Sequence, residues 1–307
     1  MPERDASEVS RGTVMGIAAY LLWGLFPLYF DALKPTGPWE ILAHRILWSL
    51  LLCVVVLAVL RDFRWIRDLR GQYRLIAGVA VAALLIATNW VVYIAAVTSG
   101  HTSDAALGYF LNPLVTVALG VVVLGERLRP LQWAAVGVGV FAGVYLAVAG
   151  GRFPWTALAL AFSFGLYGLV KNKVGAHLSA LHGFTLETAI LAPLAAITLG
   201  LIAVWGGGLD FGRHGAVHTT LLVLAGVATA VPLLLFAAAA RRIPLVTVGL
   251  IQFATPIMQL LCAVLFLGEH VSTARWIGFG IVWIALILLT LDSVLAMRRA
   301  RAGQLAA

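Results

Sequence analysis

The segment NPLVTVALGVVVLGERLRPLQWAAVGVG, residues 112–139, recurs in altered form as TPIMQLLCAVLFLGEHVSTARWIGFGIV, residues 255–282. The two segments align without a gap over 28 residues, at a constant offset of 143. Because proline, glycine, glutamate and tryptophan all coincide, we interpret the segments as copies of one internal repeat. The coinciding pairs are Pro113 with Pro256, Gly125-Glu126 with Gly268-Glu269, Trp133 with Trp276, and Gly137 with Gly280.

The composition around these copies is typical of a membrane protein. Of the 307 residues, 62% are hydrophobic and only 11% are charged, whereas a soluble domain carries about 25% charged residues. The apolar residues also form runs of about 20, which is the length that an α-helix needs to span a bilayer. The chain is therefore predicted to be an all-α integral membrane protein.

Ten apolar runs are separated by short segments that contain glycine, proline, lysine or arginine, so ten transmembrane helices are predicted. The first copy of the repeated segment falls in the fourth and fifth runs, and the second copy falls in the ninth and tenth. The predicted units are a tail at 1–11, a five-helix repeat at 12–150, a second at 151–293 and a tail at 294–307. The predicted helices are 12–30, 38–60, 73–98, 104–124, 131–149, 154–171, 181–205, 217–240, 245–267 and 273–293.

The odd number of helices in each unit has a topological consequence. After five crossings, the second unit enters the membrane from the side opposite to the first. The two units are then inverted repeats, an architecture of many secondary transporters, in which the substrate site lies near the midplane between the repeats. One unit can rock against the other and open the site to each side in turn.

The distribution of lysine and arginine predicts the orientation in the membrane. If both termini are cytoplasmic, 16 of the 21 Lys and Arg residues fall in inner segments and 4 in outer segments, while Arg45 lies within a helix. The chain is thus predicted to lie in the cytoplasmic membrane with both termini inside. The formal charge of +8 suits anionic lipid headgroups, and nucleic acid is not an expected partner. The inner segment 61–74 is predicted to be a short interfacial helix, since arginine recurs in it every three residues.

Four of the ionisable residues within predicted helices are candidates for a functional site. They are Glu40, His44 and Arg45 in the second helix and Glu187 in the seventh. A charge at the bilayer centre costs several kcal/mol and normally faces the bundle interior or a wet cavity. At an offset of 142, Arg45 corresponds to Glu187, so we hypothesise that these residues bind substrate in a shared cavity. The alternative is that Glu40 lies at the interface, that Arg45 snorkels towards the headgroups and that Glu187 is a helix-end group.

Uncharged polar residues extend the candidate site into the third, fourth and ninth helices. These candidates are Asn89, Tyr93, Tyr109 and Gln252. The alternative for the amides is hydrogen bonding between helices, worth about 0.6–2 kcal/mol each. Pro113 and Pro256 are expected to break their helices beside the cavity, because proline removes an amide donor and leaves a carbonyl unpaired.

No motif indicates an enzyme or an ATP-driven pump. The sequence contains no His-Glu-x-x-His, no phosphate-binding Gly-x-x-x-x-Gly-Lys and no nucleophile elbow. His214 and His218 lack a third ligand nearby, so neither a metal nor a cofactor is predicted. Any uphill transport would then draw on an ion gradient or on the membrane potential. Glu187 is a candidate for proton coupling, since burial favours the protonated form of a carboxyl group.

Five motifs resemble those of RarD-type permeases, which belong to the EamA branch of the drug/metabolite transporter superfamily. The resemblance extends from about residue 12 to residue 293. It implies ten helices in two inverted repeats, and it implies transport of a small molecule. Relatives in the superfamily move amino acids, sugars, nucleotide-sugars or drugs, and the name of the family is linked to chloramphenicol sensitivity. The motifs are EILAHRILWS (40–49), NWVVYIAAV (89–97), LGYFLNPL (107–114), ATAVPLLLFAAAARRIPL (228–245) and GLIQFATPIMQ (249–259).

Together, these observations predict a secondary active transporter that moves a small metabolite or drug by alternating access. The alternatives are a membrane-embedded channel or sensor and a lipid-acting enzyme. The expected partners are the substrate, protons or another coupling ion, and membrane lipids. Glycines in the fifth and tenth helices allow close helix approach, either within the chain or at a homodimer face. They are Gly137, Gly139, Gly143, Gly278 and Gly280.

Overall fold

The structure is a computed structural model that describes residues 6–125, 127–149, 153–174, 178–243 and 251–305. Every regular element in these ranges is helical. A five-residue π-helical segment, Cys262–Phe266, continues directly from the eleventh α-helix. The α-helices are α1 (Ala6–Gly24), α2 (Phe26–Asp31), α3 (Pro38–Leu60), α4 (Arg64–Asp68), α5 (Tyr73–Thr98), α6 (Thr102–Leu124), α7 (Pro130–Ala149), α8 (Trp155–Val174), α9 (Ala180–Trp205), α10 (Gly215–Arg242), α11 (Ala254–Leu261) and α12 (Thr273–Leu305).

Eight segments within the described ranges are long and apolar enough to cross a membrane, counting α1 and α2 together as one. Two more apolar helices, Trp155–Lys171 and Ala254–Phe266, are shorter. Each predicted span therefore coincides with an apolar helix, although residues 245–250 of the ninth lie outside the described residues. The all-α membrane class is confirmed, and the arrangement as two inverted five-helix repeats stays a prediction.

The first predicted helix has the wrong bounds. It was expected over residues 12–30, but α1 already begins at Ala6, inside the predicted tail 1–11, and Leu25 separates α1 from α2. Pro27 explains the interruption, because it cannot donate an amide to the hydrogen-bond ladder of α1. Proline is well tolerated where it lies, at the start of α2, since amides in a first turn have no intrahelical partner.

Two further boundaries differ from the prediction. In the segment 61–74, the only helix before α5 begins at Tyr73 is the five-residue α4, Arg64–Asp68. The flanking residues Arg61 and Gly71 have φ angles of 53° and 80°, and this left-handed conformation ends a helix. At the other end of the chain, α12 continues to Leu305 through the predicted tail 294–307. Alanine, methionine, arginine and leucine dominate that stretch, and all of them favour helix.

The helices pack around two main apolar clusters. One cluster contains buried side chains of α2, α3, α5, α9 and α10, and the other is built mainly from α6, α7, α11 and α12, with α8 contributing to both. Helices from the two predicted units are interleaved: α3 packs on α9 and α10, and α12 packs on α7. A surface between the two predicted units therefore runs through the interior of the bundle.

Two helix crossings depend on glycine. An ideal Cβ at Gly226 of α10 would lie 2.4 Å from the carbonyl carbon of Trp48 in α3, and one at Gly108 of α6 would lie 2.9 Å from the carbonyl oxygen of Ala157 in α8. Such contacts are shorter than van der Waals distances, so only glycine permits these helix backbones to approach so closely.

The glycines that were predicted to pack helices divide into two groups. Gly139 lies against Leu114 and Gly278 against Leu146, which is packing within the chain. A Cβ at Gly137, Gly143 or Gly280 would meet nothing within 4 Å in the described part of the molecule. The homodimer face thus stays a prediction.

Carboxylates cap one helix and form ion pairs between others. The carboxylate of Glu269 accepts hydrogen bonds from the backbone amides of Thr102 and Ser103 at the start of α6, where the helix dipole favours negative charge. Two ion pairs, Asp104–Arg275 and Arg129–Asp292, connect α12 to other parts of the bundle near both ends of its membrane span. Both ends of the membrane span of α12, Thr273–Asp292, are therefore fixed by charge as well as by packing.

Candidate functional site

Arg45 lies in the N-terminal third of α3 with its side chain turned into the bundle, where only 4% of the residue is exposed. Its Nε donates a hydrogen bond of 2.8 Å to Oγ1 of Thr229 on α10. Thr229 in turn donates to the carbonyl oxygen of Ala225, one turn earlier, so its own donor is already used. The guanidinium is thereby held in one orientation at the contact between α3 and α10.

Aromatic rings surround this guanidinium. Its central carbon lies 4.1 Å from the ring centroid of Trp90, 5.5 Å from that of Phe26 and 5.7 Å from that of Phe30. Tyr93 is buried beside Phe30, with ring centroids 6.0 Å apart. We call Arg45, Phe26, Phe30, Trp90 and Tyr93 the aromatic cage.

The charge of Arg45 has no acidic partner among the described residues. No Asp or Glu oxygen in those ranges lies within 4 Å of its nitrogens, and its only hydrogen bond there is the one from Nε. The hydroxyl of Tyr93 is also buried, and it has no hydrogen-bond partner among the described residues. The aromatic cage therefore combines an uncompensated positive charge with an unused hydroxyl group.

The interactions of the Arg45 guanidinium offset part of the cost of burying its charge, but none of them supplies an opposite charge among the described residues. A cation on a desolvated ring gains about 2 kcal/mol, and a hydrogen bond from a charged donor contributes about 1.5–3 kcal/mol. Removing an ion from water costs several kcal/mol even after relaxation, and an opposite charge normally offsets that cost. A buried ionisable residue without an opposite charge, within a membrane, is expected to bind a ligand or an ion.

Glu40 and His44, also predicted to bind substrate, have other partners. Oε1 of Glu40 accepts hydrogen bonds from the backbone amides of Asp210 and Phe211, at 2.9 and 3.1 Å. The ring of His44 stacks on Phe211 at 4.9 Å. These contacts fix the loop between α9 and α10, so both side chains have a structural role near the N-terminal start of α3.

Glu187 is buried in α9, but it does not contact Arg45. Its carboxylate forms an ion pair with Lys171 at the end of α8, and the hydroxyl of Tyr167 lies 3.5 Å from its Oε2. Neither Arg45 nor Glu187 points into lipid, since both are at least 96% buried. Each residue has its own partner, Lys171 for Glu187 and Thr229 for Arg45. That the two share one cavity stays a prediction.

The uncharged candidates divide between the aromatic cage and helix packing. Asn89 joins helices, because its Nδ2 donates to the carbonyl oxygen of Leu160 at 3.0 Å and its Oδ1 accepts from the hydroxyl of Tyr109 at 3.1 Å. The ring of Tyr109 lies 5.5 Å from that of Tyr93, and so borders the aromatic cage. Gln252 is half-buried just before α11, and no hydrogen bond of its side chain is found among the described residues.

The two prolines differ in their effect on their helices. Pro113 does not break its helix, since it lies inside α6, which continues without interruption from Thr102 to Leu124. Pro256 lies in the first turn of α11, where an amide would have no intrahelical partner. A turn at Gln252 and Phe253 comes just before it, so the predicted ninth helix is interrupted next to Pro256, as expected.

Comparison with known proteins agrees with these features. The sequence model of the EamA-like transporter family matches the chain twice, over residues 10–149 and 154–291. The chain belongs to the EamA-like transporter family. Together the two matches cover nearly all of the described bundle, including every residue of the aromatic cage.

Relatives place this EamA-like protein among the RarD-type permeases. It is 45% identical to the protein RarD of Streptomyces exfoliatus, over 96% of this chain and 93% of that protein. It is 40% identical to an uncharacterized transporter of Pseudomonas aeruginosa, over 95% and 97% of the two chains, and 38% identical to RarD of Escherichia coli, over 96% and 99%. The chain is therefore a multi-pass membrane transporter.

A solved crystal structure shares the fold of this EamA-like transporter. The two chains superpose with a TM-score of 0.59 at 20% sequence identity, over 92% of this chain and 98% of the other. A likeness at this level of identity concerns the arrangement of helices alone.

Sequence reasoning did not identify several residues at the site. Phe26, Phe30 and Thr229 complete the surroundings of Arg45, and Lys171 neutralises Glu187. A threonine inside the apolar run 228–240 was one available signal, because a hydroxyl there needs an acceptor. Phenylalanine gives no such signal, since it is equally common on lipid-facing surfaces.

Proposed function

We propose that this EamA-like protein is a secondary active transporter, that it works by alternating access, and that the aromatic cage is its central substrate site. The observation that carries the proposal is the buried, uncompensated guanidinium of Arg45. It lies where α3 and α5 of the first predicted repeat meet α10 of the second. A site at such a contact changes its exposure whenever the two parts of the bundle move relative to each other.

The twofold match of the family model supports the two-repeat architecture on which this mechanism rests. Each matched range contains five of the predicted helices, so the second range is expected to be inverted relative to the first. Helix contacts between the ranges pass through the region of Arg45, since α3 packs on both α9 and α10. Rocking of these helices would expose the cage first to one side of the membrane and then to the other.

A counterflow experiment tests this proposal. The purified protein is first screened for thermal stabilisation by amino acids, organic acids, sugars, nucleotides and chloramphenicol, because a bound ligand raises the unfolding midpoint. Stabilising compounds are then loaded at high concentration into proteoliposomes, and entry of the labelled compound is followed. We expect saturable entry with a transient overshoot, since a carrier exchanges its substrate across the membrane.

Other outcomes would favour other functions. Flux that rises in proportion to concentration, without an overshoot, would indicate a channel. Binding without any flux would indicate a sensor, and chemical conversion of an added lipid would indicate an enzyme. Liposomes that lack the protein are the control for passive leakage.

Proton coupling through Glu187 is the second part of the proposal. Its carboxylate is buried beside Lys171 and Tyr167, so protonation would break the ion pair and alter the contact between α8 and α9. We expect Glu187→Gln to abolish accumulation driven by a pH gradient, while counterflow at equal pH persists. Uptake is measured with the membrane potential clamped, and Asp68→Asn on the exposed helix α4 is the matched control. Unchanged gradient-driven accumulation in Glu187→Gln would exclude this role.

A further inference from the structure

The aromatic cage also indicates which class of substrate the transporter takes, an inference that rests on the proposed function. We propose that the cage binds the carboxylate of a small monoanionic organic acid, with the terminal nitrogens of Arg45 as its principal donors. Three features of the cage carry this proposal: the orientation of the guanidinium, the number of charges and the unused hydroxyl of Tyr93.

The orientation of the guanidinium suits a planar acceptor. Thr229 holds Nε at 2.8 Å, and the ring of Trp90 lies over the group at 4.1 Å. A guanidinium presents its N–H groups in its own plane, as a rigid fork that matches the two oxygens of a carboxylate. With Nε occupied and a face covered, the edge formed by Nη1 and Nη2 is the part left to bind a ligand.

The number of charges favours an anion with a single negative charge. Arg45 is the only charged member of the cage, and the next charged group along α3, Glu40, binds the outer loop instead. A monocarboxylate neutralises the guanidinium, whereas a dicarboxylate or a phosphate dianion brings a second charge with no partner. The ammonium group of an amino acid would likewise find no carboxylate within the cage.

Tyr93 supplies the third feature. It is 98% buried, and its hydroxyl has no hydrogen-bond partner in the part of the chain that the structure describes. A buried hydroxyl without a partner loses the hydrogen bonds that it makes in water. An oxygen of the bound acid would satisfy it. Arg45 therefore provides charge and planar recognition, and Tyr93 provides one additional contact.

Binding measurements on the wild-type protein test the proposal directly. Dissociation constants for benzoate, lactate and 2-oxobutyrate are measured by calorimetry in lipid nanodiscs, beside benzamide, succinate, alanine, choline and phenyl phosphate. We expect at least one monocarboxylate to bind, and to bind about 30-fold or more tightly than the neutral, dianionic, zwitterionic and cationic compounds. Chloramphenicol is included as a neutral drug.

Variants then assign the binding to the cage. Arg45→Gln is expected to weaken monocarboxylate binding by about 30-fold or more. Arg45→Lys should retain part of the affinity, because it keeps the charge and loses the fork. Tyr93→Phe should weaken binding by about 3–10-fold. Arg67→Gln, the same exchange on the exposed surface of α4, is the matched control and should bind as the wild type does.

Each result has a distinct meaning. Tighter binding of benzamide, choline or phenyl phosphate than of any monocarboxylate overturns the substrate class, even if those compounds are transported. Monocarboxylate binding that survives in Arg45→Gln overturns the placement at the cage. Selective binding without counterflow supports the site and overturns the transporter mechanism instead. Because the selectivity is measured on the wild-type chain, the test stands even if a variant fails to fold.

Discussion

Replacing Gly226 by alanine is expected to eliminate most of the folded protein. The new Cβ would lie 2.4 Å from the carbonyl carbon of Trp48 and 2.7 Å from the amide nitrogen of Ser49. Both atoms belong to the backbone of α3, which cannot move aside as the end of a flexible side chain can. The helices would have to separate by about 1 Å along a close-packed contact, at a cost of about 3 kcal/mol or more.

The effect of Gly226→Ala should also reach the aromatic cage, because Thr229 lies on the same helix three residues later and holds Nε of Arg45. The measurement is the monodisperse fraction in size-exclusion chromatography, together with the unfolding midpoint in detergent. Gly137→Ala is the control, since a Cβ there meets none of the described residues within 4 Å. It should be neutral or stabilise the helix by up to about 1 kcal/mol. Equal behaviour of the two variants would show that α3 and α10 are not tightly packed at Gly226.

Replacing Lys171 by methionine is expected to be the second most damaging change. Lys171 is the ion-pair partner of Glu187, whose side chain is 4% exposed. Removing one partner of a buried pair leaves the other charge uncompensated, which costs about 3–5 kcal/mol when both groups are buried. Because the Lys171 side chain is about one-third exposed, we expect a loss near the lower end of that range, measured as stability in a detergent-denaturation experiment.

A second exposed lysine provides a matched control. Lys34 pairs with Asp31 three residues earlier, and both side chains are at least one-third exposed. Lys34→Met should therefore change stability by less than about 1 kcal/mol. The double variant Lys171→Met/Glu187→Gln should recover part of the loss, because the uncompensated charge is gone. Additive losses in the double variant would show that the pair does not stabilise the bundle.

The helices were predictable from the sequence because the bilayer imposes their length and polarity. The repeat at an offset of 143, the apolar runs and the turn residues located every apolar helix of the described ranges. Helix ends were less predictable, because they depend on local geometry. The break at Leu25 depends on the proline two residues later, and the short α4 depends on the left-handed conformation of Arg61 and Gly71.

The candidate site was predictable only in part, for a physical reason. Arg45 and Glu187 were identifiable because a charge within an apolar run is costly wherever it points. Their partners come from helices distant in sequence, and a partner such as Phe30 or Lys171 is unremarkable in its own segment. Glu40 was predicted to bind substrate for the same reason, but its carboxylate binds two backbone amides of a loop. No sequence pattern identifies those amides as its partners.

The hydrogen bond between Arg45 and Thr229 also bears on how the chain is made. These residues are 184 positions apart, and ribosomes add about 5–20 residues per second. Helix α3 is therefore synthesised about 10–40 s before α10. Thirteen of its 23 residues are Leu, Ile or Val, and each favours insertion by about 0.3–0.6 kcal/mol. Their sum of about 4–8 kcal/mol exceeds the roughly 2.5–3.5 kcal/mol that an arginine costs at a helix centre on insertion scales. Glu40 lies in the first turn of α3, away from the centre where that cost applies. The length of apolar sequence in α3 thus lets a charged helix enter the bilayer early and remain there until its partner arrives.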